Sequence, residues 1–354
     1  MADDYGTSYY YRGAVTNNYV KFGKYPINTA DRYMGYYTSD HRDFKEHNSL
    51  SACQSSSNYN VDCSTLSTAG KDMYWRIIRI NGDGSIRMQY DGTDAYANAN
   101  GGSGFGEIDR FIHTNIKWNN YSNDAKYVGW MFGGANGSAS TSLNQAQTNT
   151  TDSNVKTIVD AWYKANIVDT GLSKYVGDKI FCNDRSTASN GTTWATDENA
   201  TNKGFGMLQT MYGPAHRIYD SESNKKLPEP TFRCPQKNDA FTVSDTTKGN
   251  GALTYPVGLI TADEMITAGS LLYNKYDYLY KSKVSYWAFS PSYMSSIIGH
   301  PFIFCHSEGG GYSNGYANQE TLGVTPVINL SAEYAATLIG NGTMESPYQI
   351  PNVN

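Results

Sequence analysis

A strand- and loop-rich α+β fold with a few short helices is what this 354-residue sequence predicts. Three observations lead there. Aromatic and β-branched runs around turn signals fill the N-terminal part, helix start signals are few, and long Gly/Ser/Thr/Asn-rich connections lie between the periodic segments. The apolar fraction of 39% is modest. The 14% of aromatics, 30 tyrosines among them, still closes a sizeable core because each ring buries much area.

Taken in order, YYYRGAVTNNYVKFGKY at 9–25 reads as strand and hairpin. MYWRIIRINGDGSIRMQYDG at 73–92 reads as two strands around Asn81-Gly82-Asp83-Gly84, a strong turn signal. Its imperfect alternation suits strands covered on both faces. Between these runs, 28–71 is a polar insertion with little core of its own. Asp152-Ser153 offers an N-cap for NVKTIVDAWYKANI, with Val155, Ile158, Val159, Trp162 and Tyr163 on one face. Thr261-Ala-Asp-Glu264 is a capping box for a helix running toward Gly269, and it accounts for the paired carboxylates Asp263 and Glu264.

The five cysteines admit two readings. Two disulfides, Cys53–Cys63 and Cys182–Cys234, with Cys305 free, imply an exported protein; five reduced thiols imply a cytosolic one. No CxxC pair or Cys/His ligand spacing points to zinc.

Only 17% of residues are charged and the net charge is −5, which excludes nucleic acid as the main partner. No apolar run approaches the roughly 18 residues of a membrane span. MADDYGTSYYYRG lacks the apolar segment of a signal peptide, so any anchor is expected outside this chain. His113, His216, His300 and His306 fit no HExxH or HxH pattern and read as surface or contact residues, with no metal or cofactor expected. Gly101 to Gly106 lacks the lysine of a phosphate loop, and Asn81 to Ser85 lacks the closing glutamate of a calcium loop. No GxSxG elbow occurs, so no catalytic residue is assigned.

The run from Tyr286 to Leu330 holds no lysine or arginine and is largely Ser, Gly, Tyr, Asn, His, Phe and Ile. That palette suits a contact surface, with rings for area and small polar side chains for adaptable hydrogen bonds.

Several segments together carry a resemblance. They are YYYRGAVTNNYVKFGKYP at 9–26, MYWRIIRINGDGSIRMQYDG at 73–92, FCNDRS at 181–186 and RCPQKNDAFTV at 233–243. GNGALTYPVGLITADEMITAG at 249–269, YWAFSPS at 286–292 and LGVTPVINLS at 322–331 complete the set. In order and wording the chain resembles the variable proteins of diversity-generating retroelements. These have a C-type-lectin-like fold of the formylglycine-generating-enzyme subtype. The resemblance implies one such domain over 1–354, the 28–71 insertion aside, with 287–330 as a variable-region-like ligand-binding segment.

In that family, error-prone reverse transcription at adenines rewrites the 3′ end of the gene, so AAC-type codons reach a restricted set of residues. From Tyr293 to Asn318 only Met294 and Glu308 fall outside that set. Trp287, Ser290 and Pro291 match the family's opening motif and Gly323, Val324, Pro326 and Val327 its closing strand; all are expected as scaffold. Thr325 stands where relatives usually carry arginine. The segment between is expected to point to solvent. Its contact positions are Tyr293, Ser295, Ser296, Ile298, His300, Phe302, Phe304, His306, Tyr312, Asn314, Tyr316 and Asn318. A core reading places Phe302 and Phe304 inside instead.

The implied function is non-enzymatic binding of a protein or cell-surface ligand, from the cell surface, the extracellular space or a phage particle. A fixed lectin or adhesin is the alternative, although no Glu-Pro-Asn or Gln-Pro-Asp calcium motif is present. A formylglycine-generating enzyme would need a copper-binding cysteine pair in the C-terminal part, where only Cys305 occurs.

Overall fold

In the computed structural model, which describes residues 1–37, 43–56, 61–96, 107–188, 203–223, 228–281, 284–319 and 322–353, the Asn81–Gly84 turn folds back as its residues require. Gly84 takes a φ of 85°, and Asp83 Oδ1 accepts from both the backbone N–H and the hydroxyl of Ser85. The Gly101 to Gly106 run lies outside the described residues.

In chain order the elements that matter begin with β1 (Tyr9–Tyr10), β2 (Tyr19–Lys24), β3 (Arg32–Tyr37), β4 (Asp43–His47) and β5 (Val61–Leu66). They continue with β6 (Asp72–Ile80), β7 (Ile86–Gly92), α1 (Asn154–Tyr163), β8 (Thr210–Met211), α2 (Gly213–Ser223) and α3 (Ala262–Ala268). Last come β9 (Tyr286–Ser295), β10 (His300–His306), β11 (Tyr312–Tyr316) and β12 (Val327–Leu330). Strand outweighs helix, 29% to 18%, so the chain is a mixed, strand-rich α+β protein.

Two antiparallel sheets organise it. The first runs β12-β7-β6-β1, with β2 also paired to β6; the second runs β8-β9-β10-β11. Every residue of β7 is buried, and β6 nearly so, which is why their sequences fail to alternate cleanly. The insertion forms its own sheet, β4-β3-β5, and lends Met34 and Phe44 to the main core. Cys53, in a short helix at Leu50–Gln54, is bonded to Cys63 on β5. Cys182 is bonded to Cys234, and Cys305 is a free buried thiol.

Both expected helix starts are present. Ser153 caps α1 by accepting from Lys156 N, and Val155, Val159, Trp162 and Tyr163 are buried beneath it. Thr261 and Glu264 exchange both capping-box bonds, and Gly269 ends α3 at a φ of 102°. The sequence signals did not mark α2. Glu264 does more than cap. It also meets Arg79 and Arg87 in the interior, while Asp263 pairs with Arg217 on α2. One carboxylate therefore ties α3 to the first sheet, and losing it would leave two buried cations short of charge.

Candidate functional site

Tyr286–Ser295 carries a proline, which a regular central strand does not tolerate. The strand answers with register shifts against β10 on either side of Pro291, and these bulges re-aim the residues that follow. The same stretch braces the framework. Trp287 Nε1 donates to Ile116 O and its ring lies 5.8 Å from Trp118. Ser290 Oγ accepts from Ala262 N at the first turn of α3. Pro291, Gly323, Val324, Pro326 and Val327 are buried as well. At Gly323 an added Cβ would come within 2.5 Å of the Phe111 ring, so no larger residue fits. Thr325 is buried and its hydroxyl accepts from Gln89 Nε2 at 2.7 Å. Position 325 is thus held by a neutral, buried side-chain hydrogen bond.

Pairing in the second sheet puts Tyr293, Phe302 and Tyr316 in one row, Phe304 beside Asn314, and His306 between Tyr286 and Tyr312. All share one face. Half of that face is roofed. Helix α3 packs on β9, β10 and β11, and the segment after it brings Asp277 and Tyr280 over His306. Gly310 and Gly311, at φ 92° and 73°, let the β10–β11 turn press against the 271–275 backbone.

The expectation that the whole segment points to solvent is therefore corrected. Ser295, Phe302, Phe304, His306 and Tyr312 are buried, at 6%, 8%, 0%, 0% and 3% exposure. The roof explains Phe304, His306 and Tyr312. His306 stacks on Tyr286 with ring planes 2° apart, and its Nε2 faces Asp277 Oδ1 at 3.4 Å. Phe302 is covered by Tyr293 and Tyr316, and Ser295 spends its hydroxyl on Ile298 N in the β9–β10 turn.

The open part lies at the other end of the strands. Ser296 and Ile298 are exposed there, Tyr316 is 40% exposed, and Tyr293, His300, Asn314 and Asn318 are half-buried. Tyr293 stacks on Phe302 at 4.3 Å, and His300 stacks on Tyr316 at 5.1 Å while its Nδ1 meets Ser122 Oγ at 2.8 Å. Burial pushes the Tyr293 phenol up to about 12, so it stays neutral. His300 and His306 share a face but sit about 20 Å apart along the strand, each with its own partners, so they form no metal pair.

Sequence reasoning missed three contributors. Ile297 is 82% exposed. Met207, 51% exposed, lies against the β9–β10 turn, where a Cβ on Gly299 would reach its Cε at 3.5 Å. Gln209 accepts from both the amide and the hydroxyl of Ser296. No pattern in the 203–209 stretch signals its approach to a turn nearly ninety residues away.

The resulting patch combines Ile297, Ile298, Met207 and Tyr316 around His300, and none of these side chains is an acid, a lysine or an arginine. Burial, aided by Glu308, raises the Cys305 thiol to about 12, where it is a poor nucleophile at neutral pH. Among the described residues no cluster of three or more His, Cys, Asp or Glu is placed to hold a metal, and no helix is long and apolar enough to cross a membrane. Comparison with family models, curated proteins and solved structures returns no match.

Proposed function

We propose that this chain is a non-enzymatic binding protein with a C-type-lectin-like fold of the formylglycine-generating-enzyme subtype, displayed outside the cell or on a phage particle. Its contact face is the open end of β9, β10 and β11, and its ligand is a protein or cell-surface structure. One observation carries this reading. Uncharged, exposed side chains at Ser296, Ile297, Ile298 and Tyr316 stand on a sheet whose opposite end is locked beneath α3. Exposed apolar and aromatic groups on a stiff support are the usual makings of a protein contact.

The pattern of reachable residues supports diversification at the same place. Of the two residues outside the adenine-derived set, Met294 is fully buried and Glu308 half-buried, whereas those four exposed residues all belong to the set. Two disulfides favour an oxidising compartment. With four of five cysteines bonded and Cys305 buried, a reactive thiol pair is missing, which speaks against the copper-dependent enzyme.

Sequencing the DNA around the gene tests the proposal. A near-copy of the segment encoding about residues 290–330, altered only at adenines and beside a reverse-transcriptase gene, is expected. A gene without such a neighbour would instead be a fixed adhesin.

A further inference from the structure

A cleft of about 690 Å³ opens between the short helix at Leu143–Ala146, the turn that follows it, and the loops at 236–238 and 250–252. Its size falls within the range of small-ligand sites. Six amide side chains line it, those of Asn144, Gln147, Asn149, Gln236, Asn238 and Asn250, and no lining side chain is charged. Leu143 and Ala252 add a small apolar patch.

A buried ion pair holds these amides from the interior. Arg185 and Asp239, at 1% and 0% exposure, pair with each other. Arg185 Nη2 also donates to Asn149 Oδ1 at 2.8 Å, and its carbonyl accepts from Gln147 Nε2 at 2.8 Å. Gln236 Nε2 donates to the Asp239 carboxylate. Asn149 Nδ2 and Asn250 Nδ2 both donate to Asn238 O at 2.8 Å, and Asn238 Nδ2 donates to Gln147 O at 2.9 Å. Each of these five nitrogens faces a carbonyl or carboxylate oxygen, so no amide among them can be flipped, and each keeps a second N–H. The side-chain oxygens of Gln147 and Gln236 accept nothing from the described residues, and Asn144 spends neither end of its amide on them.

We propose that this cleft binds a neutral saccharide without the help of a metal ion. A ring hydroxyl both donates and accepts, and fixed amides with N–H and C=O groups left over match that double role. Their orientation is set before a ligand arrives, so little ordering cost remains to be met on binding. A carboxylate, phosphate or ammonium ligand would lose hydration and meet no opposite charge, because Arg185 and Asp239 already neutralise each other. An apolar ligand would strand the amides. No acidic side chain lines the cleft to hold calcium.

The test uses the intact chain in EDTA, with methyl glucoside, methyl galactoside, methyl mannoside, N-acetylglucosamine and maltose as probes. Glucuronate, glucosamine and cyclohexanol serve as the charged and singly hydroxylated controls. Binding is followed by NMR shifts of the side-chain amide signals, that of Asn144 assigned with Asn144→Ala. At least one neutral sugar should move the Asn144 and Gln147 signals, and every control should bind more weakly. Asn144→Ala, at an exposed position, should weaken sugar binding about fivefold with an unchanged Tm. Tighter binding of maltose than of the monosaccharides would mark a glycan chain as the natural source, and no such gain a free sugar. No binding of any sugar, binding only when calcium replaces EDTA, equal or better binding of a control, or unchanged affinity in Asn144→Ala would overturn the proposal. Ile298→Ser, outside the cleft, should leave sugar binding untouched, so this site and the contact face fail separately.

Discussion

Tyr293 lies flat on Phe302, ring centroids 4.3 Å apart and planes 12° from parallel, and the pair marks where the contact face passes into the core. Phe302 is the inner partner, 8% exposed, and Tyr293 is half-buried above it. Phe302→Ala should cost about 3 kcal/mol and Tyr293→Ala about 1 kcal/mol. A double-mutant cycle by urea unfolding should give a coupling of roughly 1 kcal/mol. Strict additivity would mean that the stacking contributes nothing.

Tolerance should follow the roof rather than the sequence segment. Ile297→Ser and Ile298→Ser are expected to change stability by less than about 0.5 kcal/mol. Tyr312→Asn and His306→Asn should each cost about 3 kcal/mol, the first by emptying a packed site and the second by leaving buried Asp277 without its ring partner. Thermal melts of the four variants would decide it, and equal tolerance at all four would refute the half-roofed face.

Asp91 is a fully buried carboxylate facing Arg110, Lys281 and, more distantly, Arg76. Burial lowers the Lys281 ammonium to about 7 despite Asp91, so it is the weakest of the three cations. Lys281→Met should be neutral or stabilising at pH 7, because Arg110 still satisfies Asp91. Asp91→Asn should cost about 3–5 kcal/mol by stranding the cations. Below pH 7 Lys281 must charge in the core. From about pH 7 to 10.5 the unfolded chain binds more protons at this group, so the Lys281 contribution makes stability rise with pH there. Denaturant melts across that range, wild type against Lys281→Met, would expose it.

Acid should loosen the insertion. Burial pushes its carboxyl up, but the His113 bond and Arg32 outweigh that, and Glu46 is held at about 2 in the folded chain against an ordinary value near 4.5. A depressed carboxylate contributes stability above its unfolded pKa and loses it as pH falls through the folded one. About 3 kcal/mol should therefore disappear between roughly pH 5 and pH 2, and Glu46→Gln should flatten that part of the profile. Retention of the full acid sensitivity in Glu46→Gln would assign it elsewhere.

The two disulfides should differ in weight. Cys182–Cys234 spans 52 residues and Cys53–Cys63 spans 10. Loop-closure entropy gives about 4 kcal/mol for the longer and about 3 kcal/mol for the shorter. Removing each as a double alanine variant and comparing urea midpoints should reproduce that order.

Local chemistry in the sequence determined the local structure. A turn of Asn, Gly and Asp between strands, a Thr–Glu capping box and a Ser cap each act over a few residues, so their outcome is written where they stand. The tertiary structure alone decided which side chains face solvent. Period-two spacing puts His300, Phe302, Phe304 and His306 on one face, but α3 and the segment after it cover only part of that face. Met207 and Gln209 reach the open part from β8's approach, and Asn149 joins Asn238 at a cleft across the chain. Burial depends on what packs from far along the chain, and no spacing within a strand encodes that.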